Sequence, residues 1–272
     1  MPELPEVETT LQGIAPHLMG QTIIDVVVRH HTLRWPIPAN LKNLLHGNIV
    51  KNLQRRAKYI LIETDTGTLI LHLGMSGRVR ILSEPATAGK HDHVDILFSN
   101  QMCLRFTDTR RFGALLWTTD DPFKHSLLEK IGPEPLSTEF NGKYLWHHAR
   151  RRKASVKSFI MDSRTVAGVG NIYAAEALFQ SCIRPQKQAG KVSLEQYEKL
   201  ATAIKLTLKN AIAKGGTTLK DFMKSDGTPG YFSIELQVYG RQGQPCIRCD
   251  TTLKSTRIGQ RSTVYCPSCQ KV

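Results

Sequence analysis

Four cysteines near the C-terminus restrict the possible folds of this chain more than any other feature. They stand in two pairs, Cys246 with Cys249 and Cys266 with Cys269, and sixteen residues separate the pairs. This spacing suits four thiolates around one tetrahedral zinc ion, and paired disulfides are the alternative. Because four cysteine ligands leave no open coordination position, we expect a structural ion. It would hold together a β-hairpin too small to fold unaided.

The charge balance restricts the partners. The 272 residues include 37 lysines and arginines against 23 acidic residues, a formal net charge of +14. This excess points to a polyanion such as nucleic acid, with an anionic membrane as the competing explanation. No apolar run reaches transmembrane length, and the start of the chain does not have the pattern of a signal peptide. We therefore expect a soluble, intracellular protein with zinc and not disulfides at its cysteine pairs, and we expect Cys103 and Cys182 to be core thiols.

The N-terminus, which reads PELPEVET after Met1, carries candidate covalent chemistry. Removal of Met1 would leave the secondary amine of Pro2, and an α-amino group titrates near ~8, against ~10.4 for lysine. A secondary amine that attacks a sugar aldehyde carbon forms an iminium, which is an electron sink for elimination. Glu3 is placed to move protons beside it. The alternative, compatible with this role, is that the prolines and glutamates simply start a helix.

In the first half of the chain, short runs of alternating or β-branched residues indicate an antiparallel β-sandwich. Apolar residues at helical spacing predict a helix from Pro5 to Leu18. After it we expect short strands, bounded by turn signals. They span Thr22 to Arg29, Asn48 to Arg55, Lys58 to Thr64, Thr68 to Leu73, Arg78 to Leu82, His93 to Ser99, Met102 to Thr107 and Ala114 to Thr118.

Three turns between these strands carry candidate contacts. A basic run, Arg55 to Tyr59, contains Lys58, and the alternative is a solvated sheet edge. The other two turns, Leu71 to Gly77 and Thr107 to Gly113, each present a large apolar side chain, which in most turns is tucked into the core. The His91-Asp92-His93 segment resembles a metal site, but the sequence shows no third or fourth ligand for it. A hydrogen-bonded structural role is favoured.

A helical region follows a connector rich in proline and glycine from Asp120 to Tyr144. We expect helices over Leu145 to Asp162, Asn171 to Cys182 and Leu194 to Lys214, the first of them basic. Glycines precede the second helix, with Asn171 as the expected N-cap; such a terminus accepts a phosphate, although ordinary capping is the alternative. The glycine-rich stretch from Gly215 to Tyr239 is either a mobile surface loop or a lid.

These motifs, in this order, resemble formamidopyrimidine-DNA glycosylases. The resemblance rests on PELPEVET, the lysine-bearing strand, the two turns with Met75 and Phe112, the GVGNIY segment, the glycine-rich loop and the four-cysteine hairpin. It implies an α+β fold with an N-terminal helix and antiparallel β-sandwich, a helical helix-two-turn-helix domain and a C-terminal zinc β-hairpin. The implied divisions are residues 1–130, a connector at 131–145, a helical domain at 146–240 with a lesion-capping loop at 215–239, and a zinc finger at 241–272.

The resemblance also implies roles for individual residues. The implied catalytic set is Pro2 as nucleophile, Glu3 as proton-transfer partner, and Lys58 and Arg261 on phosphates beside the lesion. Met75, Arg110 and Phe112 would fill the gap left by an extruded nucleotide. The remaining implied DNA contacts are His72, His91, Arg152, Lys157, Asn171 and Tyr239.

The function implied is a bifunctional DNA glycosylase and AP lyase of base excision repair that removes oxidised purines from double-stranded DNA. It would act as a cytoplasmic, bacterial, monomeric enzyme with zinc as its only cofactor. Two alternatives stay open at this stage. One is the endonuclease VIII branch, which prefers oxidised pyrimidines, and the other is a non-catalytic zinc-containing DNA-binding protein.

Overall fold

The computed structural model describes residues 2–83, 87–216 and 236–271. The chain forms two compact units, one made of Met1–Glu129 with Lys214–Tyr231 and the other of Lys130–Ala213 with Phe232–Val272. Most of the glycine-rich stretch, residues 217–235, lies outside the described residues, so its expected role as a lesion-capping loop stays a prediction.

The first unit opens with helix α1, Leu4–Leu18, which confirms the predicted helix. Its apolar positions recur at helical spacing and are buried, from Val7 through Ile14 to Leu18. The helix ends just before Gly20, whose φ of 73° is in the left-handed region that glycine adopts without a steric penalty. The spacing of apolar side chains therefore decides which face of α1 enters the core.

Eight strands of the first unit form two antiparallel sheets, as the alternation predicts. One sheet has the order β1-β6-β7-β5 and the other β2-β3-β4-β8. The strands are β1 (Ile23–Val28), β2 (Val50–Arg56), β3 (Tyr59–Thr64), β4 (Thr68–His72), β5 (Gly77–Leu82), β6 (Asp92–Phe98), β7 (Cys103–Asp108) and β8 (Ala114–Thr118). A short helix, α2 (Leu41–Leu45), lies between β1 and β2 in the chain.

One hydrophobic core joins α1 to both sheets. Phe98 and Phe106 come from one sheet, Ile60 and Leu71 come from the other, and Ile14 comes from α1; all are buried in the same cluster. Burying each such side chain contributes about 1.5–3 kcal/mol, so this shared core is what holds the sandwich closed. It also fixes the strand ends, from which the candidate turns project.

The second unit is helical, with α3 (Gly142–Ala149), α4 (Val156–Met161), α5 (Asn171–Gln180) and α6 (Leu194–Ala213). The expectation of one helix from Leu145 to Asp162 is wrong, because the chain breaks after Ala149 and Arg151 takes a left-handed φ of 64°. The N–H of Ala189 donates to Ala154 O, and that of Gly190 donates to Arg152 O. These bonds from a later segment hold the break open. Ser155 then caps α4 by accepting from the N–H of Ser158.

The C-terminal hairpin consists of β9 (Lys254–Ile258) and β10 (Arg261–Tyr265), paired antiparallel. Its two-residue turn has positive φ at both Gly259 and Gln260, the geometry that suits the twist of a β-hairpin. The apolar side chains of this module, including Leu253 and Val264, pack with Phe179 of α5. The hairpin is thus anchored to the helical unit and does not stand alone.

Among the described residues, no helix combines the length and the apolar character needed to cross a membrane.

Candidate functional site

The candidate nucleophile lies at a rigid helix start. Pro2 and Glu3 are buried, and the N–H of Glu3 donates to Glu6 Oε2 at 2.8 Å. This bond is one half of a capping box between Glu3 and Glu6 that closes the first turn of α1. The N-terminal residues are therefore held in one conformation by the helix that follows them.

Helix α1 is in turn tied to the sheet that bears Lys58. Glu8 Oε2 accepts from Arg55 Nε at 2.7 Å, and both side chains are largely buried. Arg55 lies on β2, just before the turn at Ala57 and Lys58 that leads into β3. The charge pair thus sets α1 against the strand that delivers the candidate lysine.

Lys58 and His72 lie close enough to influence each other. His72 is paired with Tyr59 in the β3–β4 register, and the two rings are 4.6 Å apart between centroids. Its Nδ1 accepts from the N–H of Gly74 at 3.0 Å, which fixes the ring. Burial, with added repulsion from Lys58 and then Arg34, lowers the pKa of His72 to about 4. His72 is therefore neutral at pH 7 in the protein without DNA.

The structure brings the Met75 turn and the Arg110–Phe112 turn into contact. Gly74, at φ 64°, lies so close to the second turn that a Cβ there would be 2.3 Å from the carbonyl carbon of Phe112. Only glycine permits this approach. Although Met75 and Phe112 are far apart in the sequence, their turns therefore act as one surface.

Asp108 organises both turns. Its carboxylate accepts from Ser76 Oγ at 2.6 Å, from the N–H of Gly113 at 2.7 Å and from the N–H of Arg110 at 3.2 Å. Its side chain is fully buried. Asp108 was not among the residues predicted from the sequence, although an aspartate at the start of a turn commonly accepts hydrogen bonds from the backbone of its own turn.

Phe112 and Arg110 are exposed at the tip of this surface. Phe112 is 44% exposed, an unusual state for a large apolar side chain, and the guanidinium of Arg110 lies 5.1 Å from its ring centroid. The alternative, that a phenylalanine in a turn is tucked into the core, does not hold here. An exposed aromatic beside an arginine has the composition of a wedge that unstacks bases.

The His91-Asp92-His93 segment is divided between two roles. Asp92 and His93 are buried; Asp92 pairs with Arg105, and His93 Nε2 contacts Asp108 O at 2.7 Å. The hydrogen-bonded structural role expected for the segment therefore describes these two residues. His91 is less buried than its two neighbours, and all three residues line one cavity on the first unit.

In the second unit, Lys157 is fully buried and contacts Asn171 and the zinc hairpin. Its Nζ donates to Asn171 Oδ1 at 2.6 Å and to Thr263 Oγ1 at 2.7 Å. Asn171 Nδ2 donates to Ser262 O at 3.1 Å. The next residue toward the hairpin turn is Arg261, which is exposed. Lys157 thus ties α4, the start of α5 and β10 together, and its amine is covered by these partners.

The start of α5 differs from the prediction in one detail. Gly170 is the N-cap and Asn171 is the first helical residue, so the expected capping role of Asn171 is wrong. The side-chain amide of Asn171 is hydrogen-bonded to Lys157 and Ser262. Gly170 has no side chain, so no side-chain hydrogen bond caps the helix.

Tyr239 is held through a buried carboxylate that the sequence analysis missed. Glu176 on α5 accepts from three successive backbone N–H groups, those of Gln237, Val238 and Tyr239, at 2.8–3.0 Å. Burial raises the pKa of Glu176, against the lowering effect of these three bonds. No local pattern could have revealed this anchor, because donors and acceptor are more than 60 residues apart.

Arg152 is exposed in the break between α3 and α4. Its N–H donates to Ala149 O at 2.9 Å and its carbonyl accepts from Gly190, so its backbone is fixed while its side chain faces solvent. This placement is compatible with the DNA contact that the resemblance implies.

The four C-terminal thiols form a site for one zinc ion. Within the described parts of the chain, Cys246, Cys249, Cys266 and Cys269 are the one cluster of potential metal ligands, with their Sγ atoms all within 4.8 Å of one another. Four thiolates would fill the coordination sphere, so the ion supplies structure and no open position for substrate.

The two other cysteines differ from each other. Cys103 is half-buried, and burial, together with the nearby Asp95, raises the pKa of its thiol to about 11. Cys182 is exposed, so the prediction of a core thiol is wrong there. It follows α5 at a left-handed φ of 57°, where the chain turns its side chain outward.

The fold and these sites define the class: a zinc-finger DNA glycosylase of base excision repair. Three family models match the chain in succession. They are the formamidopyrimidine-DNA glycosylase N-terminal domain at residues 1–115, its H2TH domain at 131–223, and the zinc finger found in FPG and IleRS at 243–272.

Similar proteins agree over the full length. The chain is 55% identical to the formamidopyrimidine-DNA glycosylase of Marinobacter nauticus and 56% identical to that of Xanthomonas oryzae, with 100% of each chain covered. Among solved structures, MutM of Thermus thermophilus matches with a TM-score of 0.88 at 35% identity, over 99% of this chain and 98% of that one. A Lactococcus lactis FPG mutant in complex with Fapy-dG-containing DNA matches with a TM-score of 0.92 at 33% identity over 100% of both chains. The chain belongs to the formamidopyrimidine-DNA glycosylase family, whose members combine glycosylase and AP lyase activity.

Proposed function

We propose that this enzyme excises oxidised purines, 8-oxoguanine and formamidopyrimidines, through a Schiff base on Pro2. Solved relatives support the lesion class, since one holds DNA with Fapy-dG and another, MutM, holds DNA with carbocyclic 8-oxo-G. The observation that carries the assignment of the nucleophile is the buried Pro2-Glu3 start of α1, closed by the Glu3–Glu6 bond.

The chemistry follows from the amine. The Pro2 nitrogen attacks C1′, the glycosidic bond breaks, and the base leaves with the bonding electrons and a proton that Glu3 helps to supply. Ring opening of the sugar gives a protein–DNA iminium. This cation withdraws electrons, so loss of a C2′ proton expels the 3′ phosphate, and a second elimination expels the 5′ phosphate. The product is a one-nucleotide gap.

The remaining residues would bind and deform the DNA. Lys58 and Arg261 bind phosphates beside the lesion, and Met75, Arg110 and Phe112 fill the gap left by the flipped nucleotide. Further contacts to the DNA backbone would come from His72, His91, Arg152, Asn171 and Tyr239. Lys157 is buried, so we propose that it acts by holding Asn171 and β10 in place.

One structural observation favours purine over pyrimidine lesions as substrate. Met75 and Phe112 lie on turns that pack against each other, which supplies the paired apolar wedge expected of the purine branch. We further propose that the protein is a cytoplasmic monomer with zinc as its only cofactor.

Borohydride trapping tests the proposal. A duplex with 8-oxoguanine opposite cytosine is incubated with protein whose mass shows a free Pro2, and the adduct is mapped by peptide mass spectrometry. We expect the adduct on the N-terminal peptide, much less of it with Pro2→Gly, whose primary amine can still form an imine, and less with Lys58→Ala. Retention of Met1 in active protein would contradict the mechanism, because the Pro2 nitrogen would then be a non-nucleophilic amide. An adduct on an oxidised pyrimidine alone would move the protein to the other substrate branch.

A further inference from the structure

The side chain of Arg55 on β2 joins two parts of the candidate site that come from different elements. Its Nε donates to Glu8 Oε2 of α1 at 2.7 Å, and its Nη1 donates to the carbonyl oxygen of Ala57 at 3.0 Å. All three residues belong to the first unit. The roles that the resemblance implies include neither Arg55 nor Glu8. One guanidinium therefore connects the helix that follows Pro2 with the turn that contains Lys58.

The end of this connection on α1 is held firmly. Glu8 follows Glu6 by two residues, and Glu6 accepts from the N–H of Glu3 at the helix start. The second carboxylate oxygen of Glu8, Oε1, accepts from Gln12 Nε2 at 3.0 Å. The side chain of Arg55 is only 10% exposed, and salt screens a charge pair at this depth weakly. Arg55 is thus fixed against the same helix turn that holds the candidate nucleophile.

The other end of the connection lies in a strained turn. Arg56 pairs with Tyr59 across β2 and β3, so Ala57 and Lys58 form a two-residue hairpin turn. Ala57 has a φ of 52°, in the left-handed region that a Cβ disfavours. The carbonyl group that Arg55 binds belongs to the planar peptide that continues to the nitrogen of Lys58. This bond therefore fixes the orientation of the peptide from which Lys58 extends.

The shape of the guanidinium makes this connection rigid. An arginine carries five N–H donors in one plane, so Nε and Nη1 serve two acceptors at a fixed spacing. A lysine at the same position would have a single ammonium group on a flexible stem, and it could not hold both acceptors in that arrangement. The contact is therefore more than a charge pair between α1 and the sheet.

We propose that Arg55 is a positioning residue that fixes Lys58 relative to the Pro2 nucleophile, with Glu8 as its support. The inference rests on the proposed function, in which Pro2 attacks C1′ and Lys58 binds a phosphate beside the lesion. A phosphate held by Lys58 places the sugar of the flipped nucleotide, so the connection through Arg55 sets the distance from the Pro2 nitrogen to C1′. A displacement of about 1 Å can slow an enzymatic reaction about a hundredfold. Arg55 therefore acts on the rate of the covalent step and little on the affinity for DNA.

Single-turnover kinetics on a duplex with 8-oxoguanine test this role. Arg55→Met removes both hydrogen bonds, and we expect the rate of adduct formation to fall about tenfold with little change in Kd. A wild-type rate, or a loss confined to Kd, would overturn the proposal. Because Arg55 acts through Lys58, Arg55→Met should slow the Lys58→Ala protein little further. Losses that multiply in the double variant would show that the two residues act independently, which also refutes the proposal.

Matched variants separate positioning from stability. Arg55→Lys keeps the charge pair with Glu8, so we expect a melting temperature near that of the wild type and a rate as low as that of Arg55→Met. Ala57→Gly, which adopts a left-handed φ freely, should restore part of the rate lost in Arg55→Met. Lys42→Met breaks an ion pair of 2.8 Å with Asp25 in the same unit and should keep the full rate. A wild-type rate for Arg55→Lys, no rescue by Ala57→Gly, or an equal loss for Lys42→Met would each overturn the proposal.

A measurement without DNA keeps this proposal apart from the Pro2 mechanism. Lys58 is one of the charges that lower the pKa of His72, so that pKa reports where the ammonium group of Lys58 lies. NMR titration of Arg55→Met should show the His72 pKa raised toward its value in Lys58→Met. This response in a protein whose wild type forms no adduct refutes only the Pro2 mechanism. A normal wild-type adduct with an unchanged His72 pKa in Arg55→Met refutes only the role of Arg55.

Discussion

The protonation of His72 offers a quantitative test of how the candidate site is built. Burial and the neighbouring Lys58 and Arg34 lower its pKa from 6.5 to about 4. Because the folded pKa lies below the unfolded one, the unfolded chain binds more protons between pH 6.5 and 4. The contribution of neutral His72 to stability is therefore complete above the unfolded pKa and is lost as pH falls through that window.

The size of the effect follows from these two values. At pH 5 this difference in proton binding lowers the free energy of unfolding by about 2 kcal/mol. The figure is an upper value because the ring is half-buried. At pH 7.5 the loss is negligible. For a unit of this size, about 2 kcal/mol corresponds to roughly 4–8 °C in the melting temperature. His72→Gln removes the titration and keeps an acceptor near the N–H of Gly74. Between pH 7.5 and 5.0, we expect the melting temperature of the wild type to fall by roughly 4–8 °C more than that of His72→Gln.

Two measurements check this prediction. Thermal unfolding of both proteins at the two pH values gives the difference, in which zinc loss and other titrations common to both proteins cancel. NMR titration of the imidazole signals gives the pKa itself, and Lys58→Met should raise that pKa while leaving it below 6.5, since burial is the larger cause. Parallel pH profiles for the wild type and His72→Gln, or a His72 pKa above 6, would refute the reasoning.

Two further predictions concern the supporting residues. Asp108→Asn replaces a carboxylate that accepts three hydrogen bonds by an amide whose NH2 group faces at least one of the donors. We expect the free energy of unfolding to fall by about 1–3 kcal/mol and the yield of 8-oxoguanine adduct to decrease. Unchanged stability would contradict the role of Asp108. Cys249→Ser should lower the zinc content, measured by atomic absorption, from about one ion per chain to near zero. It should also speed amide hydrogen exchange in the β9–β10 hairpin. A hairpin that stays protected without zinc would show that packing against Phe179 alone suffices.

Several features of the fold could be read from local patterns. Helix α1 and the eight strands lie within a few residues of their predicted bounds, because the period of apolar residues directly records which face is buried. The zinc site was predictable for a similar reason. Two C-x2-C pairs encode ligand geometry within short segments, and the four thiols do lie together.

Two other predictions from local patterns failed. The run from Leu145 to Asp162 has helical spacing, yet the bonds from Ala189 and Gly190 hold a break in it. Cys182 stands in an apolar stretch, but the left-handed turn after α5 points it outward. The partners that decide the first case lie outside the sequence window that suggested the helix, whereas the turn at Cys182 is closed by bonds to Leu178 and Phe179 of the preceding helix.

For this protein, the sequence by itself determined the helix and sandwich pattern, the zinc ligands and the residues with chemistry to offer, from Pro2 to Arg261. Those properties depend on residue type and on spacing between near neighbours. Only the tertiary structure decided that Lys157 is buried against Thr263, that Asp108 joins the Met75 and Phe112 turns, and that Arg111 contacts His30. Burial and hydrogen-bond partners are set by segments tens of residues apart, and no local pattern carries them.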